Sequence, residues 1–160
     1  MTTDIDTFDR KIINVLASNG RISVTALADR IGLSKSPTQA RLRKLEEDGV
    51  IRGYRAHFDP VRLGQDHVTF VEVRLKDASE VALLAFNTAV SQIPEIEDCH
   101  MVAGNFDYLL KVRTRDVATY RSLLASRLAT LPNVAQVSSH IAMHCVKENG
   151  LSAVKKPCKA

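Results

Sequence analysis

The sequence predicts an α+β protein of 160 residues, with a mainly helical first half and a second half of βαββαβ order. Two observations predict this division. Apolar residues recur at helical spacing up to about residue 48, and alternating, β-branched runs occur only from residue 67 onward. A segment with Pro60 and Gly64 interrupts both patterns. We therefore expect one domain at 1–57, a hinge at 58–66, a second domain at 67–147 and a disordered basic tail at 148–160.

The composition excludes several classes of protein. A hydrophobic content of 45% supplies two small cores, whereas 5% aromatic residues and the absence of Trp disfavour a stacking platform for single-stranded nucleic acid. Cys99, Cys145 and Cys158 are odd in number and form no CxxC motif, which argues against a disulfide framework. No secretory signal or membrane-spanning run is present, so we expect a cytoplasmic protein that has no contact with a membrane.

Residues 4–17 predict the first helix, because apolar side chains recur on one face from Phe8 to Leu16. Acidic residues near its start favour the positive end of the helix dipole. They are Asp4, Asp6 and Asp9.

Residues 24–48 predict two further helices that meet at a tight turn. Ser23 is an N-cap for the first of them, Gly32 supplies the left-handed backbone that ends it, and Leu33 fills the angle. Ser34 caps the second helix. Its inner stripe is Thr38, Arg41, Leu42 and Leu45. With a strand or wing at 50–55, the pattern is that of a winged helix-turn-helix domain.

The outward face of the second of these helices is cationic, amide-bearing or small, as a helix in the major groove requires. Its residues are Lys35, Ser36, Gln39, Ala40, Arg43 and Lys44, and Arg52 of the wing follows eight residues after Lys44. The alternative is an ordinary helical hairpin with solvated charges. Basic residues outnumber acidic ones by six to three between residues 32 and 55, whereas residues 67–147 hold eight of each. This excess of basic residues around the helix that would enter the major groove favours double-stranded DNA as a partner.

The second half predicts the order β-α-β-β-α-β. The strands are 67–75, 96–102, 108–113 and 134–145, and the helices are 81–93 and 117–131. The helix at 81–93 is expected to bury the stripe of Leu84, Ala85, Thr88 and Ala89. This order is the ferredoxin-like arrangement, with helices on one face of an antiparallel sheet. Since the strands are apolar on both faces, we expect the other face to pack against a second subunit.

With both halves placed, the chain resembles the Lrp/AsnC family of leucine-responsive and feast/famine transcriptional regulators. The matching runs are FDRKIINVLASNGRISVTALADRIGLS, RLRKLEEDGVIRGYRAHFDPVRLG, CHMVAGNFDYLLKVRTRDVATY and LPNVAQVSSHIAM. Within the family, the second half looks most like the subgroup that activates proline dehydrogenase in response to proline. The resemblance implies regulation of amino-acid metabolism by a homodimer that assembles to an octamer.

The resemblance also implies that an amino-acid effector binds at loop 103–107, between dimers. The implied contact residues are Met101, Ala103, Gly104, Asn105, Phe106, Asp107 and Ser139. Gly104 would let backbone amides approach a carboxylate, and Asp107 would pair with the ammonium group. The alternative is a plain hairpin turn with Asp107 as a local acceptor. The family usually has a threonine where this chain has Val137, so a hydroxyl contact is lost there.

Two other interpretations carry less weight. An enzyme would need Cys99–His100 or His144–Cys145 as nucleophile and base, but neighbours on a strand point to opposite faces. A metal-responsive or other small-molecule-responsive regulator would use His100, His140 and His144, whose spacing matches no established ligand motif. We therefore expect no catalytic activity, no cofactor and no bound metal ion.

Overall fold

The computed structural model describes residues 4–147. The chain divides into two compact units, of which the first extends to His57 and the second is Phe58–Val146. The predicted tail at 148–160 lies outside the described residues. Among residues 4–147, no helix has both the length and the apolar character needed to cross a bilayer.

The first unit consists of helices α1 (Thr7–Ser18), α2 (Val24–Ile31) and α3 (Lys35–Glu47). Their inner faces meet in one apolar core. Its fully buried members are Ile12, Leu27, Ile31 and Leu45, and Leu33, Leu42, Val50 and Ile51 pack against them. The predicted inner faces of α2 and α3 are the ones that the structure buries.

A capping box starts α1 three residues later than the sequence pattern suggests. The Asp6 carboxylate accepts a hydrogen bond from the Asp9 amide at 2.9 Å, and the Asp9 carboxylate accepts one from the Asp6 amide at 3.2 Å. Two of the amides that a helix start leaves unpaired are thereby satisfied. Asp6 is therefore the N-cap, and Asp4 precedes the helix.

The two caps of α2 form as predicted, whereas the predicted side-chain cap of α3 does not. Ser23 accepts a hydrogen bond from the Ala26 amide at 3.2 Å, and Gly32 has a φ of 77°, in the left-handed region. Ser34 was expected to cap α3, but its side chain makes no capping hydrogen bond. Instead, the buried Thr38 hydroxyl donates to the Ser34 carbonyl at 2.9 Å.

Of the strand or wing predicted at 50–55, the strand does not form. Val50 and Ile51 pack on the helical core, and the following residues lie outside regular secondary structure. A strand needs a neighbour to bond with. All four strands among the described residues belong to the sheet of the second unit, so this segment has none beside it.

The second unit has the predicted βαββαβ order. Its elements are β1 (His67–Leu75), α4 (Glu80–Val90), β2 (Ile96–Met101), β3 (Tyr108–Thr114), α5 (Val117–Leu123) with a π-helical continuation (Leu124–Leu128), and β4 (Val134–Ile141). The sheet is antiparallel with strand order β2-β3-β1-β4. This is the ferredoxin-like topology, which confirms the predicted fold class.

The sheet packs its helix-facing side chains into a second core. Val71 and Val73 of β1, Leu110 and Val112 of β3, and Phe86 of α4 are all fully buried there. The sequence predicted the wrong face of α4, because Leu84, Ala85 and Thr88 are exposed. The helix is apolar around much of its circumference, so periodicity alone does not select a face.

Two ends in the second unit also differ from prediction. The predicted helix at 117–131 widens after Leu123 into a π-helical turn, in which the Ala129 amide donates to the Leu124 carbonyl at 2.9 Å. Strand β4 ends at Ile141 rather than at residue 145. Its last residue pairs with Thr69 near the start of β1, beyond which there is little partner strand left.

Candidate DNA-binding surface and effector loop

The outward face of α3 is open to solvent. Every residue predicted to contact DNA on this helix is exposed, and so is Arg52 after it. These residues are Lys35, Ser36, Gln39, Ala40, Arg43 and Lys44. Because Thr38 and Leu45 on the opposite face are buried, α3 presents its polar face away from the core.

Arg43 already has an ion-pair partner on its own helix. Its Nε donates to the Glu47 carboxylate at 2.7 Å, and both side chains are mostly exposed. Exposed pairs of this spacing contribute only about 0.3–0.5 kcal/mol, so a base edge or phosphate competes for Arg43 at little cost. The pair directs the guanidinium along the helix towards Glu47.

Arg41 joins α3 to the first turn of α1. One guanidinium nitrogen, Nη1, donates to Asp6 at 2.5 Å and to Asp9 at 2.9 Å, and the guanidinium carbon lies 5.6 Å from the centre of the Phe8 ring. The hydrogen bond from the Asp9 amide, together with Arg41, holds the pKa of the Asp6 carboxyl below its ordinary value. Sequence reasoning placed Arg41 on the inner stripe but missed its partners, which are over 30 residues away in the chain.

Tyr54 attaches the segment after α3 to that helix. Its hydroxyl donates to the Glu46 carboxylate at 2.8 Å. Desolvation, with a further contribution from that carboxylate, raises the pKa of Tyr54 to about 12. The phenol therefore stays protonated and keeps donating throughout the physiological pH range.

The predicted effector loop, residues 103–107, closes the hairpin between β2 and β3. The Val102 amide donates to the Asp107 carbonyl at 2.9 Å, and the Asp107 amide donates to the Val73 carbonyl at 2.9 Å. The Asp107 carboxylate accepts from the Leu75 amide at 2.7 Å. Asp107 thus has a structural role in the loop, with one carboxylate oxygen engaged by β1.

Arg74 of β1 also contacts the loop, and most of the remaining loop residues are exposed. Arg74 donates to the Asn105 carbonyl through Nε at 3.1 Å and also through Nη2. Ala103, Gly104 and Asn105 are exposed, Phe106 is half-buried, and Met101 at the base of the hairpin is exposed. A Cβ at Gly104 would meet no heavy atom within 4 Å, and its φ lies outside the left-handed region, so the loop backbone itself does not require glycine there.

Ser139 does not lie at the loop of the same chain. It is on β4, and the sheet order places β1 between β4 and the β2–β3 hairpin. Its hydroxyl is hydrogen-bonded to the Tyr120 hydroxyl of α5. Val137, where the resemblance predicts a lost hydroxyl, lies on the same strand and packs against the apolar core.

The face of the sheet opposite the helices carries charged side chains and, near its centre, an apolar one. Partial burial opposes ionisation of Glu97, but hydrogen bonds from Arg113 at 2.5 Å and from Lys111 hold the pKa of its carboxyl below the usual value. Phe70 of β1 is 40% exposed on this face, although it lies in the middle of a strand.

The residues proposed for the alternative functions are not brought together. Cys99 pairs with Leu110 on the helix-facing side of the sheet, whereas His100 pairs with Leu109 on the other side. His144 and Cys145 follow the end of β4, so His144 does not share a strand face with His140 as predicted. Among residues 4–147, no three His, Cys, Asp or Glu side chains are grouped to hold a metal ion.

Two family models match the chain, one over each unit. Residues 5–52 match a winged helix-turn-helix DNA-binding model, and residues 68–151 match the Lrp/AsnC ligand binding domain. The first range contains the whole of α3, and the second contains the hairpin loop and the complete βαββαβ order except the first residue of β1.

Known proteins similar to this chain match it along nearly its full length. The proline dehydrogenase transcriptional activator of Rhodobacter capsulatus is 55% identical over 148 residues, covering 92% of this chain and 96% of that protein. The leucine-responsive regulatory protein of Escherichia coli strain K12 is 41% identical over 152 residues, covering 95% and 93%. A solved structure of a transcriptional regulator from Neisseria meningitidis in complex with L-Met has a TM-score of 0.85 at 30% identity, covering 91% and 94%.

The matched family and the similar proteins are transcription regulators, so the expectation that this protein is not an enzyme is confirmed. The exposed polar face of α3 and the ferredoxin-like unit with its hairpin loop are the parts to which these matches correspond. On this evidence of sequence and fold, the chain belongs to the Lrp/AsnC family and is a DNA-binding transcriptional regulator of that type.

Proposed function

We propose that this regulator reads its operator with the outward face of α3 and holds the DNA backbone with the flanking cations. Gln39 and Arg43 have the side chains suited to base edges, and the small Ala40 between them permits close approach. Lys35, Ser36, Lys44 and Arg52 would bind phosphates. The observation that carries this proposal is the exposure of the entire polar face of α3 while the opposite face is buried in the core.

Substitutions on α3 test this assignment by separating base contacts from phosphate contacts. Gln39→Ala and Arg43→Ala are each expected to weaken operator binding by about 1–3 kcal/mol and to relax specificity. Lys44→Ala should weaken all duplexes alike and reduce the slope of log K against log salt by about 1. The measurement is a titration of labelled operator and shuffled duplex at several salt concentrations.

Arg121→Ala is the matched control, because it removes an exposed cation from α5 of the second unit. It should leave both affinities unchanged. Equal operator affinity in the three α3 variants would contradict the assignment of α3 as the reading helix.

For the effector, we propose a small amino acid bound at loop 103–107 that controls a gene of amino-acid catabolism in the cytoplasm. Proline is our first choice, because the relative named for activation of proline dehydrogenase is 55% identical. Exposed loop amides would bind its carboxylate, and Asp107 would bind its ammonium group. Residues 58–66 would act as the hinge through which the effector changes operator binding.

This assignment predicts measurable heat on titrating proline into the protein, with weaker responses to leucine and methionine. Isothermal calorimetry with all three amino acids gives the comparison. Saturable binding of one amino acid together with a change in operator affinity would support the proposal. Absence of binding for all three would reject it.

We also propose that the charged outer face of the sheet is a dimer interface and that dimers assemble further, to octamers. Phe70 lies partly exposed in the middle of this face. Phe70→Glu is expected to dissociate the assembly, because a buried carboxylate without a partner is strongly unfavourable. Sedimentation velocity reports the state, and Val81→Glu on the exposed side of α4 is the control. An unchanged sedimentation coefficient for Phe70→Glu would contradict the interface.

A further inference from the structure

We infer that Arg41 is a positioning residue, which fixes α3 against the first turn of α1 and thereby sets base discrimination without contacting DNA. The inference rests on the proposed role of α3 as the reading helix. Arg41 lies on α3, but its side chain is directed towards Asp6 and Asp9 of the α1 capping box.

The contact is a three-residue ionic clamp, formed by Arg41, Asp6 and Asp9. Nη1 of Arg41 lies 2.5 Å from Asp6 Oδ2 and 2.9 Å from Asp9 Oδ1. The same two carboxylates accept the amides that start α1. A single guanidinium therefore joins the beginning of one helix to the middle of another, and both carboxylates are already fixed by the helix they cap.

The ionic clamp is shielded mainly on its Asp9 side, since the Asp6 side chain is 47% exposed. The Asp9 side chain is 11% exposed and the Arg41 side chain 33% exposed. The guanidinium also lies 5.6 Å from the centre of the Phe8 ring, within the range of a cation–π contact. Charges shielded in this way are screened less by salt than exposed ones.

The charge around Arg41 disfavours a DNA contact by this residue. Two carboxylates already neutralise it, and Asp4 lies beside them. These residues border a cavity of about 500 Å³ that Lys44 and Ala40 also line. A phosphate approaching Arg41 would have to displace two short hydrogen bonds and lie against the remaining negative charge. Lys44, which is exposed, is better placed for that role.

Base reading depends on the direction of α3 more than phosphate binding does. Hydrogen bonds to base edges require side chains to be held to within about 0.5 Å and 10–20° of the productive geometry. Phosphate attraction tolerates small rotations, because it is long-range and carries no sequence information. Loosening the ionic clamp should therefore lower the preference for the operator and leave the general attraction to DNA unchanged.

Arg41→Ala and Asp9→Asn test the inference from the two sides of the ionic clamp. Asp9→Asn removes the charge but retains an acceptor for the Asp6 amide, and Asp9 lies on α1 rather than on the reading helix. The probes are a duplex selected by the wild-type protein from a random pool and a shuffled duplex of the same composition. Affinities for both are measured from low to moderate salt, and folding is checked by thermal melting of each variant.

Both variants are expected to lower the ratio of selected to shuffled affinity by about tenfold, which is about 1.4 kcal/mol, with an unchanged salt slope. Lys44→Ala is the contrasting control, since it should change the slope and leave the ratio nearly constant. A salt slope reduced by about 1 in Arg41→Ala would show a phosphate contact and overturn the inference. An unchanged ratio in Asp9→Asn would overturn it as well.

The two proposals fail in different ways. If Gln39→Ala and Arg43→Ala retain full discrimination, the reading helix is wrongly assigned. If those two lose discrimination and the Arg41 and Asp9 variants do not, only the ionic clamp is rejected. Arg41→Lys gives a further check in case Arg41→Ala fails to fold. Lysine keeps the charge but loses the rigid guanidinium fork, so it should restore stability more fully than discrimination.

Discussion

Phe86→Ala is expected to destabilise the second unit by about 3–5 kcal/mol, because it removes a whole aromatic side chain from a packed core. Phe86 is 0% exposed, and its ring centre lies 4.5 Å from that of Tyr108. The loss combines apolar burial, the ring contact and the cavity left behind. Urea denaturation followed by circular dichroism measures the change as a lower midpoint.

Leu84→Ala is the matched control, two residues earlier on the same helix. Leu84 is 66% exposed, so its truncation should change the free energy of unfolding by less than about 0.5 kcal/mol. The two substitutions also distinguish the sequence pattern, which placed Leu84 on the buried face, from the structure, which buries Phe86 instead. A large loss at Leu84 with little loss at Phe86 would contradict the observed orientation of α4.

Asp107→Ala is expected to weaken effector binding by about 1.5–3 kcal/mol and to loosen the hairpin loop as well. The substitution removes the proposed partner of the effector's ammonium group. It also leaves the Leu75 amide without the carboxylate that now accepts from it at 2.7 Å. Calorimetry with proline measures the affinity, and thermal melting without proline measures the structural part.

Asp107→Asn separates these two effects. An asparagine carbonyl still accepts from the Leu75 amide, so stability should be close to that of the wild type, whereas the charge is lost. Effector affinity should still fall by about 1–3 kcal/mol. Operator binding without effector should survive, because the change lies outside the DNA-binding unit. Unchanged proline affinity in Asp107→Asn would leave Asp107 with a purely structural role in the turn.

Local signals explain why so much of the fold was predictable. Ser23 and Gly32 act within a few residues of themselves, one by accepting an amide and the other by adopting a left-handed φ. Proline cannot continue a helix, and Pro94 and Pro132 each follow by four residues the ends of α4 at Val90 and of the π-helical continuation at Leu128. The order of elements in the second unit follows from the change between helical and strand periodicity. Such information is contained in a short stretch of chain.

Most of the missed features depend on a distant neighbour, whereas the later start of α1 and the absent side-chain cap at Ser34 are local exceptions. The outward face of α4 was misassigned, because only the sheet beneath the helix determines which apolar stripe is buried. Strand β4 ends at Ile141 because its partner β1 begins nearby. The segment at 50–55 has strand propensity but no neighbouring strand. Propensity is a weak guide wherever hydrogen-bond partners come from elsewhere in the chain.

The candidate site divides in the same way. The sequence by itself determined the residue types of α3, whose cations and amide recur on one face at helical spacing, whereas the role of loop 103–107 was implied by the family resemblance. Only the tertiary structure decided which partners the side chains of these segments contact. In the folded chain, Arg41 donates to Asp6 and Asp9, and one carboxylate oxygen of Asp107 accepts from the Leu75 amide. Charge and shape belong to the residue, whereas its partners depend on chain segments brought together by folding.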